Sequence, residues 1–359
     1  MNSLTPFRTQ PDGINWPTHK WPTTTLDESV NHTEVNSALA ALFDHGVNPP
    51  AGQGVSLATL VVHHGAIVAE RYGIQPDTAF GPGGPVDKDT TLISWSMAKS
   101  MTQAVLGIIV DELGIDIDAP VDIREWANDE RRQITLRHLL QMRDGLDFVE
   151  DYVVDESGNS VSHVIDMLFG SGAEDVATYA RSRPFKNEPG SVWSYSSGTT
   201  NIICSLLRQY IGGGSVAALL KQRIFDVLGM TSATATSDPA GNFIGSSYVY
   251  ATARDFAKFG YLYLRGGQWE DQQVVPREWV ESARVQQASD HESDHGYGLQ
   301  WWIWKSLSGC MSAQGYEGQR IIVMPDRDLV VVHLGKWVAE TAPALDLHLL
   351  RLIEAFPVV

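Results

Sequence analysis

Ile93-Ser94-Trp95-Ser96-Met97-Ala98-Lys99-Ser100-Met101 carries a Ser-x-x-Lys and runs straight into an apolar helix pattern. Met97, Met101, Ala104, Val105, Ile108 and Ile109 recur at three- and four-residue spacing, which predicts a helix with one buried face. Ser96 then falls in the first turn of a core helix, and Lys99, three residues on, sits beside it. A hydroxyl is a poor nucleophile until a neighbouring base takes its proton. A lysine can be that base only when neutral, a state favoured by burial and by nearby positive charge. A helix N-terminus adds backbone N–H groups able to hold an oxyanion. Ser-x-x-Lys alone is a weak pattern, met about once by chance in a chain of this size. Partner motifs in a sensible order must therefore decide its meaning.

Upstream of this stretch, the first thirty residues are rich in Pro, Thr, Asn and Asp and read as an extended surface arm. A short helix is expected over 34–43. The runs 57–62 and 66–72, separated by His63-His64-Gly65, read as a β-hairpin. A metal at that His pair is disfavoured, because no acidic or His partner lies nearby in sequence. Downstream, the nucleophile helix stops at Gly114, and helices are expected over 134–142 (N-cap Thr135), 161–168, 173–180, 199–210 and 216–228. An amphipathic helix is expected over 251–264 and a short one over 276–282. The runs 298–305, 318–324 and 329–334 are aromatic and β-branched and read as a strand meander, closed by a Leu-rich helix over 342–356.

Strands at both ends and helices between them imply an α/β (α+β) fold. An antiparallel sheet flanked by helices would be built from residues 1–115 and 240–359. A mainly helical domain over 116–239 would be inserted, with the active site in the cleft between the two.

The 359 residues are 43% hydrophobic and carry a formal net charge of −17. That charge disfavours nucleic acid and anionic membrane surfaces as partners. The oligomeric state stays open, with a homodimer among the options. Cys204 lies in an apolar run and reads as a buried thiol. The N-terminus has no apolar core of signal-peptide length, and no apolar run reaches the span of a bilayer. A cytoplasmic protein is expected unless a leader was removed.

Two later stretches complete the constellation. In Glu188-Pro189-Gly190-Ser191-Val192-Trp193-Ser194-Tyr195-Ser196-Ser197-Gly198, a phenol stands in a polar loop before an apolar helix. There it can share a proton with Lys99 or serve a leaving group; a structural tyrosine in a turn is the alternative. In Ser312-Ala313-Gln314-Gly315-Tyr316-Glu317-Gly318-Gln319, glycines let a backbone approach a ligand, and a strand edge could present an N–H opposite Ser96.

The order Ser-x-x-Lys, Tyr-Ser-Ser, Gly-rich strand entry resembles the serine β-lactamase and penicillin-binding-protein superfamily. The resemblance runs from about Val61 to Leu334 and includes Asp111–Val121, Thr135–Leu146 and Tyr250–Gly260. Within the superfamily, the chain looks most like the class C-like branch of esterases and 6-aminohexanoate-dimer hydrolases. That resemblance implies Ser96 as acylated nucleophile and Lys99 with Tyr195 as its proton-transfer pair. It further implies an oxyanion hole from the N–H groups of Ser96 and Tyr316. Tyr152, Ser197, Trp302, Gln314 and Gly315 would lie on the substrate side, with no metal and no cofactor required. Tyr152 and Trp302 could equally be core packing.

Two departures matter. The Lys-Thr-Gly of true β-lactamases, a cationic site for a substrate carboxylate, is replaced by Ala313-Gln314-Gly315. Tyr-x-Asn is replaced by Tyr195-Ser196-Ser197. Loss of Lys-Thr-Gly weakens the case for a β-lactamase or D-Ala-D-Ala peptidase and points to uncharged or cationic small-molecule esters and amides. Two readings of other classes stand beside this one. His291-Glu292-Ser293-Asp294-His295 is a literal H-E-x-x-H zinc signature, but its neighbours supply no apolar back face for a helix. A non-catalytic penicillin-fold binder is disfavoured because all three catalytic positions hold competent residues.

Overall fold

A computed structural model describes residues 4–78, 81–151, 153–154, 160–290 and 295–359. Helix α1 (His32–Phe43) precedes the hairpin β1 (Val55–His63) and β2 (Ala66–Tyr72). His64 and Gly65 turn the hairpin with φ of 48° and 78°, the left-handed pair that suits strand twist. The nucleophile segment forms a 3-10 turn, Trp95–Met97, that leads into α2 (Ala98–Leu113). That helix is closed by Gly114 at φ 62°, a left-handed stop that glycine adopts without strain.

The middle of the chain supplies helices α3 (Leu136–Leu140), α4 (His163–Phe169), α5 (Val176–Arg181) and α6 (Ser197–Tyr210). Thr135 caps α3 as expected, in a reciprocal pair of bonds with His138. The helix expected over 216–228 is present but carries a π-helical stretch at Lys221–Phe225.

The remainder builds α7 (Ala253–Leu264), then β3 (Ala288–Ser289), β4 (His295–Tyr297), β5 (Trp302–Trp304), β6 (Met311–Gly315), β7 (Gln319–Met324) and β8 (Leu329–Lys336), and ends with α8 (Ala342–Glu354). One eight-stranded antiparallel sheet results, in the order β3-β4-β5-β6-β7-β8-β1-β2. The two termini meet in it, Val55 of β1 pairing with Lys336 of β8. Alternation along β7 and β8 divides the core: Ile321, Val323, Val330 and Val332 face one cluster, while Ile322, Met324, Leu329 and Val331 face another, as a two-residue strand period requires. Helices α1 and α8 cover the second face. Helices α2 and α7, with the helical middle of the chain, cover the first.

Three expectations need adjustment. Helix α7 is buried at every position except Arg254, because the sheet packs on one side while Trp16 and Trp21 of the N-terminal arm pack on Tyr261. The strand expected over 298–305 shortens to β5. Strands β3 and β4 were not anticipated. Among the described residues, no helix is long and apolar enough to cross a membrane.

Candidate active site

The 3-10 turn Trp95–Met97 and the first turn of α2 deliver Ser96 and Lys99 to the same point. The Lys99 side chain is essentially fully buried, at 1% exposure. Its Nζ lies 2.8 Å from Ser96 Oγ, 2.9 Å from Ser197 Oγ and 3.2 Å from the Ser246 carbonyl oxygen. Burial lowers the Lys99 pKa to about 8, and the nearby Glu150 charge opposes that shift without cancelling it. Desolvation dominates because a buried ammonium loses its hydration.

Tyr195 enters from the loop before α6. Its ring is packed 5.2 Å from Trp302 and 6.0 Å from Tyr297, and Lys99 Nζ lies 4.8 Å from its centroid. Burial, reinforced by the Glu150 charge, raises the phenol pKa well above its ordinary value, and the neighbouring Ser96 and Trp302 side chains offset only part of the rise. The pair is therefore split as proton transfer requires: an amine that is readily neutral beside a phenol that keeps its proton.

Strand β6 closes the other side. A Cβ placed on Gly315 would lie 2.3 Å from the Ser94 carbonyl oxygen and 3.0 Å from the Ser96 nitrogen. Only glycine lets the strand end approach the nucleophile turn this closely. The backbone of Gly315 is thereby brought against that of Ser96, with Tyr316 next in the chain. A cavity of about 600 Å³ opens on this junction, lined by Ser96, Tyr195, Trp302, Gln314, Gly315 and Tyr316, with Glu150 in its wall.

Of the anticipated catalytic and substrate-side residues, all but Tyr152 fall among the described residues. Trp302, Gln314 and Gly315 line the cavity. Ser197, expected on the substrate side, is buried at 1% exposure and faces Lys99 and Glu150 instead, because it opens α6 inside the protein. Tyr152 lies outside the described residues, as do His291 and Glu292. His295 sits on β4 with its ring 5.0 Å from that of Trp304. Among the described residues, no group of three or more His, Cys, Asp or Glu is arranged to hold a metal ion. The His pair at the hairpin turn is otherwise engaged: the two rings pack 3.9 Å apart, tilted by 40°, and His64 Nδ1 meets Asp328 at 3.0 Å.

Glu150 was not anticipated. Its carboxylate accepts the Ser197 backbone N–H at 2.7 Å and the Ser197 hydroxyl at 2.5 Å. It occupies the N-terminus of α6, where unpaired N–H groups favour an anion. Burial nonetheless raises its pKa, more than Lys99 and Ser197 lower it. The acidic pair Glu150-Asp151 was the available signal, and nothing in it pointed toward Lys99.

The sequence profile of the β-lactamase family matches residues 39–354. The chain is 28% identical over 298 residues to a 6-aminohexanoate-dimer hydrolase from Paenarthrobacter ureafaciens, covering 78% of this chain and 72% of that one. Among solved structures, a Bacillus anthracis protein described as a candidate 6-aminohexanoate-dimer hydrolase superposes with a TM-score of 0.72 at 22% identity, over 99% of this chain and 92% of that one. A family VIII carboxylesterase superposes with a TM-score of 0.69 at 16% identity, over 93% and 98%.

Proposed function

The chain belongs to the β-lactamase family and is a hydrolase of that fold, and on that premise we propose that it cleaves small esters or amides through an acyl-enzyme on Ser96. The observation that carries this reading is the 2.8 Å approach of a buried Lys99 amine to the Ser96 hydroxyl.

Hydrogen-bond accounting gives the direction of proton flow. The Ser246 carbonyl can only accept. The Ser197 hydroxyl spends its proton on Glu150, so it too must accept from Lys99. A neutral amine has two N–H groups and one lone pair. Both N–H groups are thus used, and the lone pair is left for the Ser96 proton. Ser96 Oγ then bonds to the substrate carbonyl carbon as its proton passes to Lys99 Nζ. The carbonyl π electrons move onto oxygen, where the N–H groups of Ser96 and Tyr316 stabilise the charge. When the tetrahedral species collapses, the bond to the leaving group breaks. The leaving group takes a proton from the Lys99–Tyr195 pair, with the phenol as the final donor. Water repeats the sequence to release the acid.

Substrate preference follows from the cavity wall. Ala313 is buried where β-lactamases carry the lysine of their third motif, and Gln314 donates to Ser312 Oγ at 3.0 Å. Arg320 lines the cavity, but its guanidinium donates to the carbonyls of Gly315 and Gln319 and pairs with Asp346. Glu150, Asp151 and Asp290 share the same wall. Uncharged or cationic esters and amides suit this field better than the carboxylate of a penicillin. The 6-aminohexanoate-dimer hydrolase and carboxylesterase likenesses support amide or ester cleavage. The test is to profile p-nitrophenyl esters, linear amino-acid amides and nitrocefin on one sample. Short esters are expected to turn over while nitrocefin is slow or inert; rapid nitrocefin hydrolysis would refute the substrate assignment.

A further inference from the structure

Two residues beside the nucleophile hold left-handed backbone without being glycine. Trp95, immediately before Ser96, has φ 43°, and Glu317, immediately after Tyr316, has φ 62°. Such geometry is unfavourable for bulky residues and persists only where surrounding contacts impose it. The two flank the two backbone N–H groups assigned above to the oxyanion, and their side chains meet. Trp95 Nε1 donates to Glu317 Oε2 at 3.0 Å. Lys336, at the end of β8, donates to the same oxygen at 2.6 Å. The Trp337 N–H donates to the Glu317 carbonyl at 3.0 Å, so the glutamate is held by both backbone and side chain. The ion pair is largely withdrawn from solvent, with side-chain exposures of 24% for Lys336 and 19% for Glu317. Screening is weaker there than for a surface pair.

We infer that Glu317 is a positioning residue for the oxyanion hole. Its carboxylate, anchored by Lys336, ties the Trp95–Met97 turn to the Tyr316–Gly318 turn and so fixes the separation of the Ser96 and Tyr316 N–H groups. The inference rests on the acyl-enzyme reading and adds a residue that touches neither substrate nor Ser96. Trp95 is the other half of the tie. Its ring also meets Tyr316 edge-on at 5.9 Å, so the same two turns are joined at a second point. A tie of this kind acts where the oxyanion forms and leaves the Lys99 proton transfer alone, because Glu317 contacts none of the groups around Lys99 Nζ.

The test uses Glu317→Ala, Glu317→Gln and Trp95→Phe, with p-nitrophenyl acetate turnover and inhibition by a small alkylboronic acid, which mimics the tetrahedral adduct. Removing a whole oxyanion donor costs about 10²–10³ in kcat, so displacing one by loss of the tie should cost about 10- to 100-fold. Glu317→Ala is expected to lower kcat by that factor with KM little changed, and to weaken boronate inhibition by a comparable factor. The acid limb of the pH profile should stay where it is in the wild type. Glu317→Gln, which keeps an acceptor oxygen for Trp95 and Lys336, is expected to recover most of the rate. Trp95→Phe removes only the donated N–H and ring area, and serves should Glu317→Ala fail to fold. Wild-type boronate affinity and kcat in Glu317→Ala, or in Trp95→Phe, would overturn the inference. So would a rate loss that Glu317→Gln does not relieve. Labelling of wild-type Ser96 by a fluorophosphonate separates the two proposals. No adduct there sinks the acyl-enzyme reading; an adduct together with unaffected variants sinks the tie alone.

Discussion

The Glu150 carboxylate grips Ser197 at two points, its backbone N–H at 2.7 Å and its hydroxyl at 2.5 Å. That grip turns the Ser197 lone pair toward Lys99 and leaves the amine lone pair for Ser96. Glu150 also opposes the downward shift of the Lys99 pKa. Replacing it with glutamine removes that opposition, so the folded-state pKa of Lys99 falls further. Glu150→Gln is therefore expected to move the acid limb of kcat/KM to lower pH while lowering the plateau, as Ser197 loses its fixed orientation. A titration of p-nitrophenyl acetate hydrolysis checks both; a limb that stays put or moves upward would contradict the relay.

In the wild type, Lys99 must be neutral to accept a proton, and its pKa is lowered to about 8. Below that pH the amine is protonated, so kcat/KM is expected to fall about tenfold per pH unit. Above it, activity should hold until Tyr195 begins to ionise, at a pH well above the ordinary phenol value. A flat profile from pH 6 to 9, which the measurement would reveal directly, would remove Lys99 as the base.

Gly315→Ala places a methyl group 2.3 Å from the Ser94 carbonyl oxygen and 3.0 Å from the Ser96 nitrogen. Both neighbours are backbone and cannot swing aside, so the end of β6 must retreat from the nucleophile turn. We expect kcat to fall by about 10²-fold, the order of a lost oxyanion contact, with only modest loss of stability. Steady-state kinetics beside a thermal melt distinguish this from general unfolding.

Arg265 and Asp328 form a pair far from the cavity, 2.5 Å apart with side-chain exposures of 1% and 5%. Arg265→Met leaves a buried carboxylate without its main partner. Breaking such a pair costs about 3–5 kcal/mol, which a urea midpoint will report. Turnover per folded molecule should be unchanged, because neither residue reaches the site.

The parts of this molecule that were legible in sequence are those encoded by short-range pattern. Ser96 and Lys99 are three residues apart across a 3-10 turn that runs into α2, so their proximity follows from local helical geometry. The β1–β2 hairpin and β8 announce themselves by apolar runs and turn residues. Tyr195 and Gly315 carry only weak local signals, a phenol before a helix and a glycine at a strand, and gained a role through the order of motifs. Glu150 escaped because it acts on Lys99 through Ser197, 47 positions away from it in sequence, and no periodicity marks such a contact. Strands β3 and β4 span two and three residues, too short for alternation to register. Helix α7 read as amphipathic because its second covering layer is the N-terminal arm, whose docking on Tyr261 is a tertiary choice.

The most direct test is to treat the protein with p-nitrophenyl acetate under pre-steady-state conditions and locate the adduct by mass spectrometry, with Ser96→Ala alongside. A burst of nitrophenolate accompanied by an acetyl group on Ser96 is expected. In Ser96→Ala both should vanish, with turnover reduced by about 10⁴-fold or more. Sustained hydrolysis by Ser96→Ala, or an acyl group mapped to another residue, would contradict acylation at Ser96.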